Sequence, residues 1–279
     1  MKREKQFMNR RVILAGVATL ALTGMGAGHS QAADALQQIK QKGVLTVGVK
    51  ADYPPFGFRE ASGNIVGIGP DLARDIAKRL GVKIALVPVV ASNRIQFLQQ
   101  GRIDVMIATM NYTAERAKQV EFVPPNYYAS GYNVMIPKAM KATSWDALKG
   151  KTICAIQGSF YNRGASEKFG LQLSAFAGVA ESLAALKQGR CVGFLYDDTA
   201  IEGQLLKPEW SSYDMPLPSQ DSEPWGISVK KGDDDLAAKV HDAIVDWNKT
   251  GFIMQLETKY GIKHHSPFVV KAHDDAKKG

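Results

Sequence analysis

Apolar residues along this chain follow two alternating rhythms. Val44 to Val49 is apolar and β-branched, the pattern of a buried strand. From Asp71 to Leu80 apolar residues recur at 72, 73, 76, 77 and 80, the spacing of one helix face, and Gly81 supplies the stop. Between them Ser62-Gly63-Asn64 is a hairpin turn signal. Ile84 to Val90 predicts a second strand, Ser92 the cap of a short helix through Gln99, and Val105 to Ala108 a third strand that breaks into polar residues. Thr113 suits an N-cap and Glu115 the first turn of the next helix. A similar cycle restarts after Pro137. It predicts a helical turn at Trp145 to Leu148, a strand at Lys151 to Ile156, helices around 160–169 and 180–188, and a strand from Cys191 to Tyr196. Ile227 to Val229 is a further strand, and helices over Leu236 to Thr250 and Ile253 to Tyr260 follow. Residues beyond about 265 are polar and are expected to fray. Strands alternating with helices of this length predict an α/β fold with parallel pairing. No internal repeat or low-complexity segment interrupts it.

The first residues carry a different pattern. Lys2, Arg3, Lys5, Arg10 and Arg11 precede an uncharged, largely apolar run from Val12 to Ala27, and Ser30-Gln31-Ala32 offers small residues for cleavage after Ala32. That run is shorter than the ~20 residues needed to span a bilayer, so residues 1–32 read as a cleaved secretory signal peptide rather than a retained anchor. Arg10-Arg11 has poor flanks for a twin-arginine signal, and the general secretory route fits better. The expected location is periplasmic. Loss of this segment removes five cations and one anion, and the formal charge falls from +8 to about +4. The other Lys and Arg residues are scattered, with no basic run interleaved with aromatics, which argues against a nucleic-acid partner. No later apolar run is long enough for a membrane span.

The remaining ~245 residues exceed the usual single core and predict two lobes. Cys154 and Cys191 both flank apolar strand-like runs. In an oxidising compartment two cysteines predict one disulfide, the alternative being a pair of buried thiols acting as small apolar residues. Neither sits in a Cys-x-x-Cys or Cys/His pattern, so neither a metal nor a redox cofactor is expected.

Open α/β sheets bind ligands where strands end and helices begin. Three such exits stand out: Lys50-Ala-Asp52-Tyr53, Thr109-Met-Asn111 with Arg116, and Gln157-Gly158-Ser159. Asp197 is a fourth. Arg116 is the most telling, because a fixed cation in a helix's first turn is disfavoured by a few tenths to about 1 kcal/mol. An anion docking there, held by the Arg fork and free backbone N–H groups, explains it; a solvated surface Arg is the plainer alternative.

These residues lie in longer motifs. Leu45-Thr-Val-Gly-Val-Lys-Ala-Asp-Tyr-Pro-Pro-Phe-Gly-Phe58, Gly67-Ile-Gly-Pro-Asp-Leu-Ala73 and Asn111-Tyr-Thr-Ala-Glu-Arg116 resemble the polar amino-acid periplasmic binding proteins, family 3 solute-binding proteins that capture substrate for ABC importers. The likeness runs from about Val44 to Gly261 in several spaced motifs in the right order. It implies a two-lobed, type II periplasmic binding fold: lobe 1 at 44–130 plus 226–264, lobe 2 at 131–225, and a tail at 265–279. Tyr128 to Met135 and Ser222 to Ile227 become hinge strands, and closure around the ligand is the expected motion. Arg116 matches the arginine that forks onto the ligand's α-carboxylate. Thr109 and Asn111 match hydroxyl and backbone positions beside it, and Ser159 the second lobe's backbone contribution. Asp197 matches the acid that receives the α-ammonium, with Asp198 a solvated or structural neighbour. Tyr53 matches an aromatic wall and Phe56 its support; ordinary core packing is the alternative for both, and the favoured one for Phe56. An Arg supplies planar bidentate geometry that a Lys does not. Dividing the anchors between lobes makes closure depend on ligand.

Lys50 and Arg94 stand at positions that meet the ligand side chain in relatives, and two cations there suit a side-chain carboxylate, as in the glutamate/aspartate-binding subgroup. Asp52 complicates this, since neutralising either cation leaves a pocket for a neutral polar amino acid. The implied partners are an amino acid and a membrane permease, the protein itself a monomer. The rival reading is a cyclohexadienyl (prephenate or arogenate) dehydratase on the same fold, with Asp52 or Asp197 as its acid. Against an enzyme, the chain lacks Gly-x-Ser-x-Gly, phosphate-loop and His-Glu-x-x-His motifs. His241, His264, His265 and His273 fall in the last helices or tail, away from the strand exits. A receptor domain of this fold continues into a membrane span, whereas this sequence stops soon after Gly261.

Overall fold

The computed structural model describes residues 35–278. The signal-peptide reading of residues 1–32 lies outside them. Helix α1 (Ala35–Lys42) leads into strand β1 (Val44–Val49), whose bounds are those of the apolar run. A small antiparallel sheet follows, β2 (Asp52–Tyr53), β3 (Gly57–Arg59) and β4 (Ile65–Val66), with the 62–64 turn between the last two. Helix α2 (Ile68–Leu80) starts three residues before the predicted Asp71, because Pro70 sits in the first turn where its missing N–H costs nothing. Gly81 ends it in the left-handed conformation at φ 70°.

Next come β5 (Lys83–Pro88), α3 (Arg94–Gln99), β6 (Val105–Asn111) and the four-residue α4 (Ala114–Ala117). The predicted cap at Ser92 is displaced: Asn93 takes the N-cap position of α3, and its side-chain oxygen accepts from Val90 N–H at 3.0 Å. Thr113 is the cap of α4, accepting from Arg116 N–H at 3.2 Å. β6 runs three residues past the predicted Ala108, which puts Thr109 and Asn111 on the strand.

The long strand β7 (Glu121–Pro137) precedes β8 (Thr152–Ile156), α5 (Asn162–Phe169), β9 (Gln172–Phe176) and α6 (Val179–Lys187). One 3-10 turn, Trp145–Leu148, fills the predicted helical turn. Then follow β10 (Phe194–Asp197), α7 (Asp198–Leu205), β11 (Tyr213–Asp214) and β12 (Gln220–Val229). Cys191 is not in β10 as predicted; it stands before the strand, bonded to Cys154 of β8 with Cα atoms 5.6 Å apart. The chain closes with α8 (Asp234–Thr250), α9 (Phe252–Lys259) and α10 (Pro267–Lys278). The expectation of a frayed tail is therefore overturned: Val269 of α10 is buried, and the imidazole of His273 meets the carbonyl of Asn248 at 2.6 Å. Among the described residues no helix is long and apolar enough to cross a membrane.

The main sheet runs β5-β1-β6-β12-β7-β10-β8-β9, with β11 on the edge of β7. Parallel pairs form both flanks, β1 with β5 and β6, and β8 with β9 and β10. β12 and β7 run antiparallel to each other between these flanks. β12 also pairs β6, while the far end of β7 pairs β10, so both strands serve both halves. Their ladder shifts register between Trp225 and Ile227, opposite Pro124 and Pro125, which have no N–H to give it. Trp225, Tyr127, Tyr128 and Tyr132 of these strands are buried, and Tyr128 stacks on Trp225 at 5.3 Å between centroids.

Candidate functional site

Between the two flanks lies a small, nearly filled cavity, walled by Ala91, Arg94, Thr109, Asn111 and Arg116 on one side and by Ser159, Tyr161, Tyr196 and Asp197 on the other. The first group stands at the ends of β5 and β6 and the starts of α3 and α4. The second stands at the ends of β8 and β10. Six of the eight predicted ligand residues are thus brought together: Arg94, Thr109, Asn111, Arg116, Ser159 and Asp197.

Arg116 donates from Nη1 to the Asn111 carbonyl at 3.1 Å and from Nη2 across the cleft to the Gly158 carbonyl at 3.0 Å. Burial pulls its pKa down to about 9, with the charge of Arg94 adding to the fall and Asp197 opposing it. It remains a cation at neutral pH. Arg94 is buried and held by the carbonyls of Ala108 and Thr109, at 2.5 and 3.2 Å. Burial lowers its pKa also. Thr109 adopts φ 49°, an uncommon conformation for a side-chain-bearing residue, and donates its N–H to Tyr127 Oη at 3.2 Å. Asn111 donates from Nδ2 to the Glu223 carbonyl at 3.3 Å, tying β6 to β12.

Asp197 is the anionic counterpart. Its Oδ1 accepts from Tyr161 Oη at 2.8 Å and its Oδ2 from Tyr53 Oη at 3.1 Å. Burial raises its pKa to about 6, against the hydrogen bond from Tyr161 and the charge of Arg94, which hold it down. The carboxylate is ionised at pH 7 and costs free energy to keep so, which is the state a cationic ligand group relieves. Asp198 beside it is structural: Oδ1 accepts from Ser130 Oγ at 2.6 Å and from Thr199 N–H at 2.8 Å.

Two predicted residues stand behind the walls. Tyr53 is fully buried, its ring packed against Phe56, Tyr196 and Trp225 and its hydroxyl shared between Asp197 and Thr199. It orients the acid rather than forming the cavity surface. Lys50 is 2% exposed and pairs with Asp52 at 2.8 Å; burial lowers its pKa and Asp52 opposes that. Phe56 packs on Tyr128 and Trp225, in the core role. Ser159 lines the cavity, but its N–H already reaches the Ile156 carbonyl at 3.3 Å.

Sequence reading missed Ala91, Tyr161 and Tyr196. Tyr161 and Tyr196 sit within two residues of Ser159 and Asp197, and that proximity was their available signal. Among the described residues no group of three or more His, Cys, Asp or Glu is placed to hold a metal.

The walls approach closely away from the cavity too. A Cβ on Gly158, at φ +85°, would stand 2.9 Å from the backbone of Ala91 and Ser92. One on Gly203 of α7 would stand 2.5 Å from the Pro54 carbonyl oxygen. This is a closed cleft, sealed by bare backbone.

The chain is 27% identical over 256 residues to the L-cystine-binding protein TcyJ of Escherichia coli K12, covering 91% of this chain and 96% of the relative. It is 30% identical over 268 residues to the glutamine-binding protein GlnH of an ABC transporter in Bacillus subtilis, covering 92% and 97%. Among solved structures, the cysteine-binding protein of Campylobacter jejuni superposes with a TM-score of 0.78 at 28% identity, over 84% of this chain and 95% of that one. The fold is that of the two-lobed type II periplasmic binding proteins. The model of the bacterial extracellular solute-binding proteins, family 3, matches residues 45–263, and the chain belongs to that family.

Proposed function

We propose that this protein captures an amino acid outside the cytoplasmic membrane and delivers it to the permease of an ABC importer. The observation that carries this is the division of charge across a buried cleft. Arg116 stands on one wall of the cavity and Asp197 on the other. A zwitterion satisfies both. Residues 44–130 with 226–264 form one lobe and 131–225 the other, hinged on β7 and β12. Ligand then favours closure because the open cleft cannot serve both of its charged ends. The relatives named for cystine, glutamine and cysteine support the amino-acid class.

For the ligand itself we favour an acidic amino acid, glutamate or aspartate. The cavity wall carries two cations, Arg94 and Arg116, against one anion, Asp197. A zwitterion leaves Arg94 bonded to carbonyls alone, and a second carboxylate supplies it an anionic partner. Lys50 contributes less than its position in the sequence suggests, being neutralised by Asp52. Export through a cleaved leader and action as a monomer complete the reading.

The test is calorimetric titration of refolded, ligand-stripped protein with the common amino acids, together with a turnover assay on prephenate and arogenate. Tight glutamate or aspartate binding that is lost in Arg116→Ala supports the reading. Arg94→Gln is expected to shift preference from glutamate towards glutamine; an unchanged preference overturns the acidic assignment. No affinity for any amino acid, or turnover of either dehydratase substrate, overturns the transport role.

A further inference from the structure

Asp52 touches no wall of the cavity, yet it spans the cleft. Its Oδ1 holds Lys50 Nζ at 2.8 Å on its own side. Its Oδ2 accepts from Val179 N–H at 3.3 Å on the other, 127 residues away in sequence. Val179 is the first residue of α6, and the N-cap position before it is Gly178, which has no side chain to cap the helix. A helix start leaves backbone N–H groups unsatisfied and carries partial positive charge, and an Asp carboxylate answers both. α6 belongs to the far half of the molecule, its Ser182 hydroxyl bonded to the Ala155 carbonyl of β8.

We propose that Asp52 is a closure latch: it caps α6 in trans, a bond made when the cleft shuts and broken when it opens, so that it stabilises the closed form without touching ligand. Lys50 is its anchor. The lysine is buried on the Asp52 side and fixes the carboxylate in the direction of α6, which explains a buried cation that does not face the cavity. The contact between Pro54 and Gly203 lies on the same side of the cleft and registers the two surfaces. The inference deepens the binding-protein reading and rests on its hinge closure.

The experiment places spin labels on one lobe each, at the exposed positions Lys83→Cys and Glu167→Cys, in the full mature chain. Inter-label distances are recorded with and without glutamate, and glutamate dissociation is followed by stopped flow. Asp52→Ala is expected to speed dissociation about tenfold, the range set by losing an N-cap, and to reduce the short-distance population. The preference of glutamate over glutamine does not fall, because no ligand contact is lost and Lys50 is left a cation without its partner. A second variant separates latch from helix support: Gly178→Ser added to Asp52→Ala caps α6 from within its own lobe. The latch predicts that this restores thermal stability but neither slow dissociation nor closure.

Native dissociation and distances in Asp52→Ala, or full restoration of closure by Gly178→Ser, overturn the proposal. A native protein that shows a short-distance population but binds no amino acid overturns the ligand reading alone, and the latch is then read from the unliganded distances. A native protein that stays open under every condition overturns both.

Discussion

Arg116 enters the closed cleft with both terminal nitrogens engaged on carbonyls, one of them across the cleft at Gly158. Removing a buried, hydrogen-bonded charge partner costs about 2–5 kcal/mol, so Arg116→Ala is expected to weaken binding by about thirtyfold or more in calorimetric titration. Arg116→Lys keeps the charge but not the fork, and recovers only part of the loss. Asp197 sets a pH dependence. Its pKa is raised from 3.8 to about 6 in the fold, so the folded protein holds a proton through a window in which the unfolded chain has lost it. Stability of the empty closed form therefore falls as pH rises from about 4 to about 6, by up to about 3 kcal/mol. On the proposed reading binding runs the other way, because the ammonium of the ligand needs the ionised acid: affinity is expected to decline below about pH 6. Asp197→Asn is expected to remove the Asp197 share of the pH dependence of thermal unfolding between pH 4 and 7, leaving that of Glu202, while abolishing amino-acid binding. At this scale the charged anchors were legible from their residue types at strand exits. Tyr161 and Tyr196 were not, since a buried aromatic beside a strand end reads the same whether it faces a cavity or the core. Lys50 was read as a ligand group from its position in relatives, with neutralisation by Asp52 as the alternative, and Asp52 does pair with it.

Elements were legible in proportion to the strength of their pattern. β1 is apolar and β-branched throughout, and its bounds were found to the residue. α7 was missed because Asp198 to Leu205 has little apolar periodicity and begins at residues read as the end of a strand. α10 was missed because its apolar residues are few and interrupted by charge; it is held by tertiary contact. The buried carboxylate of Glu257 on α9 accepts from Ser266 N–H, just before α10, at 3.0 Å and from Tyr128 Oη of β7 at 2.8 Å, and His265 Nδ1 meets it at 2.8 Å. Deleting residues 265–278 leaves that carboxylate short of two partners. Its expected cost of about 2–3 kcal/mol lowers the calorimetric melting temperature by about 5–10 °C. The disulfide acts on the other half. It closes a loop of 37 residues between β8 and the approach to β10, worth about 4 kcal/mol in the chain-entropy account. Cys154→Ser with Cys191→Ser is expected to lower the melting temperature by about 10 °C and to leave ligand affinity near native at 25 °C.

For the whole molecule, the chain passes between the two flanks of its sheet along β7 and β12, so relative motion of the flanks bends those two strands and leaves the rest of each ladder intact. A closed chain of ~245 residues has a radius of gyration of about 18 Å. Small-angle scattering is expected to approach that value on ligand addition and to show a larger value without it, with no compaction in Arg116→Ala. Gly203→Ala puts a methyl against the Pro54 carbonyl, between two surfaces that the proposed hinge closure brings together. It is expected to unfold at a native temperature without ligand and to bind weakly, the deficit appearing as a population that fails to compact. That methyl separates two kinds of fitness. Under the proposed function, a cell carrying it makes a protein that folds and survives its proteases as well as the native one, yet takes up less of the ligand. Quality control inspects the polypeptide; the absence of a side chain at position 203 is inspected only by whether the cleft can shut.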